Sequence, residues 1–548
     1  MSARMAHVDD KKPPSLTAPM VWIAAAAAAA LLPFLWLGIP SGHDFEFHLN
    51  SWVEVLDHWR QGVLYPHWAG LAHYGYGEAR FIFYPPLSWT LGAALGSFLP
   101  WPWVPAAYLW IALVLSGTSM FVLARRWLPT ADAVTAAVLY AVNPYHLVIV
   151  YWRSALAELL AAAYLPLLLR FILRSEEEGP RAILPLSLVM AAGWLTNVPS
   201  AVMMNYSLAV LMVCIALRQR SFRPLAHGAA AAAMGLALAA IYLVPVIHQR
   251  TWINIAQAFA PGVRPIDNFL FTVTADADHN RFNLLVSLVA TAEIAVVAAL
   301  LFFARRSRSR KIWPLALAWS ALATALMFRP ALLLWDHLPE LRFVQLPWRW
   351  LLCLNVALAL LVPLALRRWW RRGAVYAAAV GVALVGWQRV QAPWWDTAAD
   401  IREMVDNQHD GIGNEGADEY VPAGADPYEI DQQAPEARLE GHAGGKVEIK
   451  KWQAEDRLLA AHTDSAAGLV LRLFNYPAWV IEVNGVAVQT ATTSDTGQIV
   501  VPLPAGESLV RIRFAAGWDR RTGAGISLVS FIGLIVWHAK QCKLTAES

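Results

Sequence analysis

"PLSWTLGAALGSFL", residues 86–99, decides how this chain is threaded through a membrane. Counted as a span, it would invert every loop that follows. A helix of that length rises about 21 Å, short of a hydrocarbon core of roughly 30 Å. We read it as an interfacial or re-entrant piece inside a first loop running from about 40 to 101.

The surrounding composition makes a membrane the right frame. The 548 residues are 57% hydrophobic and 15% charged, against about 25% charged in an ordinary soluble domain. Apolar runs long enough to cross lie near 18–39, 102–124, 131–150, 155–174, 182–198, 200–217, 226–247, 283–304, 312–328, 347–366, 373–390 and 521–538. Arg125/Arg126, Arg170/Arg174/Arg181, Arg218/Arg220/Arg223, "RRSRSRK" (305–311), "RRWWRR" (367–372) and Lys540/Lys543 all fall on one side of this about-twelve-span threading. The positive-inside rule makes that side cytoplasmic, with both termini there. The first run is too long, and "PSGHDFEF" too poor a cleavage site, for a removed signal peptide.

A net charge of +3 gives no reason to expect a nucleic-acid partner. Cys214, Cys353 and Cys542 offer no pair to staple an exported domain, so no disulfide is expected. The 27 tryptophans fit interfacial belts or sugar-stacking surfaces equally well.

The first loop opens with "GHDFEFHLNSW" (42–52). Phe45, Leu49, Trp52, Val53, Leu56, Trp59 and Val63 form one helical stripe, which predicts an amphipathic helix lying in the outer interface. Asp44 precedes it, where it is a plain N-cap or a functional carboxylate, two compatible roles. His43, Asp44, Glu46 and His48 are also a conceivable divalent-cation set. Glu293 falls mid-span and needs a partner on a neighbouring helix. The outer segments divide the chain into a tail (1–17), a membrane domain (18–390), a β-rich outer domain (391–520), a final span (521–538) and a second tail (539–548). In the β-rich domain, "VDNQHDGIGNEGADEYVPAGADPYEIDQQAPEA" reads as loop. "GKVEIKKW", "GLVLRLF", "AWVIEVNGVAVQT", "QIVVPLP" and "SLVRIRF" then read as strands, with a hairpin at Asn484-Gly485. This predicts a small antiparallel sandwich or jelly roll.

The segments "GHDFEFHLNSW", "HYGYGEARFIFYPPLSW", "NPYHLVIVYWRSALAELL", "WLTNVPSAVMM", "IYLVPVIHQ", "FVQLPWRWLL", "GADEYVP" and "FNYPAWVIEVNGVAV" run in order along nearly the whole chain. They resemble the bacterial 6-pyruvoyl-tetrahydropterin-synthase-related integral-membrane family, which is YfhO-like and similar to the GT-C glycosyltransferase superfamily. The pterin label does not translate into an activity, since a soluble pterin synthase needs a compact histidine zinc site. The resemblance instead implies a polytopic GT-C-like helical domain that transfers a sugar from a polyprenyl-phosphate carrier to a glycan, lipid or protein acceptor. The reaction would take place on the outer face of the bacterial cytoplasmic membrane. It implies Asp44 as catalytic base, with His43 and Glu46 beside it, and a donor-phosphate site of Arg153, Arg349 and Glu158. His48, Tyr76 and Tyr84 would line the substrate groove. For both arginines the competing reading is interfacial snorkelling beside tryptophan. No DxD pair follows in the second outer loop, so no cofactor is expected and a divalent metal is only an option. Two other classes stay open: a non-catalytic scaffold or glycan-binding protein, and a lipid or solute transporter. A transporter would place charges and broken helices at the bilayer midplane.

Overall fold

The computed structural model describes residues 17–305, 312–390, 394–440 and 444–546. The amino-terminal tail, with Arg4, Lys11 and Lys12, lies outside the described residues, as does most of the basic run 305–311. A helix occupies each of the twelve apolar runs. Among the described residues, eight helices are long and apolar enough to cross a membrane, and ten if two bent pairs each count once. The gap from twelve has a simple origin. Leu156–Thr196 is one run of 41 residues that holds two of the expected spans. The helix Trp369–Val390, with three arginines, is not among those counted.

Close helix packing relies on small residues, because lipid supplies no hydrophobic drive between apolar helices. A β-carbon at Gly117 would sit 2.5 Å from Ile23 of the first helix, and one at Gly235 would sit 2.6 Å from Met190. Glu293 has the neighbour its position requires: Asn355 Nδ2 donates to its Oε2 at 2.9 Å.

Residues 86–96 form an eleven-residue helix, Pro86–Gly96, which rises about 16 Å and does not span. It lies against the helix Phe45–Arg60, where Gly92 admits the Trp52 ring to a distance no side chain would allow. The helix Phe45–Arg60 corrects an expectation. It does not lie in the interface with one face in lipid; His48, Asn50, Ser51, Glu54 and His58 are buried along with the apolar stripe. Those polar groups meet the rest of the first loop and the membrane helices, His48 at Leu156, Ser51 at Arg80 and His58 at Phe81, and a strap from the outer domain adds further cover. Trp395–Asp396 pairs antiparallel with Ile39–Pro40, and the following helix, Ala398–His409, covers the outer side of Phe45–Arg60.

That second helix was not expected, and it starts on a reciprocal capping box of Thr397 and Asp400. Beyond it, Asn414 exchanges backbone bonds with Leu71 and Tyr74, so the polar stretch is fastened to the first loop.

The β domain is a two-sheet antiparallel sandwich. One sheet is ordered Ala437–Leu439, Ala467–Phe474, Gln498–Leu503, Ala491–Thr492. The other is ordered Gly445–Trp452, Asp456–Thr463, Gly506–Phe514, Trp479–Val483, Val486–Ala487. Leu459, Leu471, Ile481, Ile499 and Ile512 meet in its core. The hairpin turn is where Asn484-Gly485 puts it, with φ of 53° and 81° at the two residues, the doubly positive conformation of a type I′ turn. The sandwich rests on the first loop through Trp68, which meets Trp479 at 5.3 Å and Tyr476 at 5.6 Å between ring centres.

Candidate active site

Three segments far apart in sequence converge where the first loop meets the membrane helices. The first is the turn carrying Arg153. The helix from Pro144 widens into a π-turn over Ile149–Arg153 and stops at Ser154 in a left-handed conformation, φ 51°. Single π-turns of this kind recur at functional sites because they re-aim one side chain out of the helical ladder. The second is the loop bearing Asp44, stitched to that turn. The amide of Asp44 donates to the carbonyl of Arg153 at 3.1 Å, and the Gly42 amide donates to Ser154 Oγ at 3.1 Å. Gly42 is required by this approach, since a β-carbon there would lie 2.5 Å from Ser154 Oγ and 2.7 Å from the Arg153 carbonyl carbon. The third is the short 3₁₀ helix Pro347–Trp350, which presents Arg349.

Glu158 joins two of these segments. Its Oε2 accepts from Arg153 Nη1 at 2.6 Å and from Arg349 Nε at 3.0 Å. Its Oε1 accepts from the Tyr145 hydroxyl at 2.7 Å. Arg153 lies 4.7 Å over the Trp348 ring, and Arg349 also donates to the Val344 carbonyl and Gln345 Oε1. All three charged side chains are buried, with Glu158 only 1% exposed. Neither arginine snorkels outward; both turn inward to one carboxylate. Two cations face one anion, so the cluster keeps a net positive charge. Glu158 orients the arginines, and a carboxylate held this way is ill suited to meet a phosphate itself.

Asp44 stands at the edge of this cluster, within electrostatic reach of both guanidinium groups. It occupies the N-cap position of Phe45–Arg60, but its side chain makes no capping hydrogen bond, so the plain-cap reading does not hold. His48 lies one turn on and is buried, and its Nε2 accepts the Leu156 amide at 3.2 Å. Burial, with Arg80 adding to it, pushes its pKa down to about 4, so the ring is neutral with its hydrogen on Nδ1. Tyr84 packs edge-on to Phe47 at 5.0 Å and to His48 at 5.9 Å. Burial, then the nearby Asp44 charge, holds its phenol well above the ordinary range.

His43 reaches solvent at the rim with its ring 6.1 Å from that of Phe282, and the protein packed around its other side lowers its pKa by desolvation, with Asp44 opposing. Glu46 is exposed and meets Asn50 of its own helix at 3.5 Å. The four-residue cation set therefore does not converge, because His48 is committed inward while Glu46 points away. Among the described residues no group of three or more His, Cys, Asp or Glu is placed to hold a metal ion.

Tyr76 does not join this group. Its hydroxyl donates to the Asp431 carbonyl at 2.9 Å and its ring packs on Phe474, so it fastens the β domain instead of lining a groove.

The structure adds residues that the sequence reading missed. Arg80 donates to Glu78 at 2.5 Å and to Ser51 at 3.0 Å, and it lies 4.5 Å over the Phe47 ring. His73 completes the Glu78 shell at 3.0 Å. Beside them Glu54 is buried, and desolvation raises its pKa to about 8. Glu419, in the turn Asp418–Tyr420 beyond the strap, also feels the Asp44 charge; burial and neighbouring carboxylates raise it to about 7. The only sequence signal for Glu419 was its place in "GADEYVP".

These features define a class: a polytopic helical membrane protein with a C-terminal β-sandwich docked on its first long loop, and a buried Arg–Glu–Arg cluster beside Asp44. The model of the family described as "6-pyruvoyl-tetrahydropterin synthase related domain; membrane protein" matches residues 81–392. The chain belongs to that family. Among solved structures, the chain is similar to an oligosaccharyltransferase of Archaeoglobus fulgidus in its apo form, at 13% identity and a TM-score of 0.39, over 74% of this chain and 56% of that one. The same enzyme tethered by a disulfide bond to an acceptor peptide containing the NVT sequon matches at 13% identity and a TM-score of 0.36, over 73% and 55%. This chain thus spans a little over half the length of that protein. No curated protein sequence matches it.

Proposed function

We propose that this protein is a membrane glycosyltransferase. It takes a sugar from a polyprenyl-phosphate carrier and passes it to a cell-envelope acceptor on the extracytoplasmic face of the bacterial cytoplasmic membrane. The observation that carries this reading is that the Asp44 loop is bonded to the Arg153 turn, and that Arg153 and Arg349 share Glu158, from segments more than a hundred residues apart.

Asp44 is the general base: its carboxylate takes the proton from an acceptor hydroxyl as that oxygen attacks the anomeric carbon. The bond from the anomeric carbon to the carrier phosphate breaks, and the phosphate leaves with the electron pair. Arg153 and Arg349, held rigid by Glu158, meet the charge that develops there. Neutral His48 and protonated Tyr84 supply hydrogen-bond donors at the wall of the site. Residues 40–101 and the β domain face the periplasmic side in this scheme, and both termini face the cytoplasm, as the basic loops require.

Two measurements test the reading. A lipid extract of a deletion strain, analysed by mass spectrometry, accumulates one polyprenyl-linked sugar; an unchanged lipid profile rejects the donor assignment. In a chain stripped of its three cysteines, His43→Cys reacts with a membrane-impermeant maleimide in intact cells. Labelling solely after lysis rejects the sidedness.

A further inference from the structure

A cavity of about 250 Å³ lies at the foot of the β sandwich, between the helix Ala240–Gln249 and the last helix, and none of the expected site residues lines it. Its wall is apolar on the membrane side, formed by Ile241, Tyr242, Pro245 and Ala524. Arg520 and Arg521, which follow the last β-strand in the chain, also line it, beside Tyr65 and His67 of the first loop. Just along the helix the two elements touch too closely for any occupant. A β-carbon at Gly523 would lie 2.5 Å from the Ala240 carbonyl, and Ser527 Oγ accepts the Ile241 amide at 2.9 Å. The last helix then turns Leu528, Val529, Phe531 and Ile532 outward, as lipid contact requires. The cavity thus sits at the start of a span, at the depth of lipid headgroups.

Arg520 is the unexplained group. Its Nε and Nη2 are buried and find no acceptor among the described residues, while its guanidinium lies 4.8 Å over Phe514. Buried N–H donors without acceptors are costly, more so on a charged group. The two carboxylates nearby are engaged elsewhere. Asp519 accepts from Gln249 at 2.6 Å. Glu455 accepts the His67 and Trp68 amides at 2.6 and 3.3 Å. They offset part of the charge but leave those nitrogens open.

We infer that this cavity binds a bilayer phospholipid with a net-anionic phosphate headgroup. The phosphate meets Arg520 and Arg521, and an acyl chain runs down the apolar wall beside Ile241 and Ala524. A guanidinium matches a phosphate in geometry as well as charge. Bound there, the lipid bridges the last β-strand, the last span and the helix Ala240–Gln249, and so fixes the sandwich against the membrane. The site is separate from the Asp44 cluster and does not depend on the reaction proposed there.

The test is native mass spectrometry of the full-length protein released from nanodiscs of phosphatidylglycerol, of phosphatidylcholine, or of phosphatidylcholine with added inorganic phosphate. The wild-type chain retains one phosphatidylglycerol and discriminates against phosphatidylcholine by roughly five-fold per arginine; inorganic phosphate does not mimic the effect. Arg520→Gln with Arg521→Gln abolishes the discrimination. Ala524→Trp, which keeps both charges and fills the apolar half, abolishes retention of the lipid. The wild-type comparison needs no variant, so a misfolded mutant leaves it decisive. Equal retention of both lipids overturns the inference, as does an Ala524→Trp chain that still holds phosphatidylglycerol.

Discussion

Replacing Glu158 by Gln removes the carboxylate that two buried cations share. Arg153 Nη1 and Arg349 Nε both reach Oε2, at 2.6 and 3.0 Å, so the guanidinium groups stand on the order of 5 Å apart. With an effective dielectric of about 20, two like charges at that distance repel by roughly 3 kcal/mol. Removing one partner of a buried ion pair costs about 3–5 kcal/mol in measured cases, so the two routes agree. Exposure does not discount the figure, because Glu158 is 1% exposed and Arg153 4%. Cys353 is buried and supplies the readout: in detergent-purified protein, a thiol-reactive dye reports unfolding as temperature rises. Glu158→Gln lowers the midpoint by several degrees, and adding Arg349→Gln recovers part of the loss by removing the repulsion. An unchanged midpoint in the single variant, or a further fall in the double one, would refute the shared-carboxylate geometry.

Three other perturbations probe separate links. Gly42→Ala forces a β-carbon against Ser154 and Arg153; we expect a loss of about 1–3 kcal/mol of stability and a fall in transfer activity larger than that loss explains, since the Asp44 loop must shift. Glu54 is held protonated by burial, with its pKa raised to about 8. The folded state then binds the extra proton, and this contribution to stability is full below the ordinary carboxylate range and fades as pH rises toward 8; Glu54→Gln flattens the fall in thermal midpoint between pH 5 and 8, and a variant with the wild-type slope contradicts the assignment. Gly485→Ala meets no atom within 4 Å but must adopt φ 81°; the strain costs about 1–2 kcal/mol, read as increased proteolysis of the β domain with the membrane helices intact.

The membrane domain was legible because lipid solvates apolar surface and nothing else, so spans and basic loops stand out in one dimension. The strands of the sandwich were legible where alternation survived. Asp456–Thr463, central to one sheet, was not. Its inward positions are Arg457, Leu459, Ala461 and Thr463, and the buried Arg457, stacked 4.8 Å from Trp452 and 5.0 Å from Trp479, hides the period.

The site divides in the same way. Asp44, Arg153 and Arg349 carry recognisable local motifs and are brought together. Tyr76 shares a motif with Tyr84, yet chain reversal at His73 and Tyr74, both at positive φ, sends it to the β domain. Glu419 gains its surroundings across more than three hundred positions, where Glu78 accepts the Ala417 amide at 2.7 Å, and Arg80 gains its own from Glu78 and Ser51 within the first loop; no local pattern encodes either.

The central claim is that the Asp44 carboxylate takes the acceptor proton. Its most direct test is a deletion strain carrying Asp44→Asn at wild-type protein level, with polyprenyl-linked sugars and envelope glycans measured together. The substitution keeps the size and the backbone bond to Arg153 but removes the base. The account predicts the lipid-linked sugar accumulating and the glycan missing, as in the full deletion. Normal glycan with no accumulated donor would contradict it.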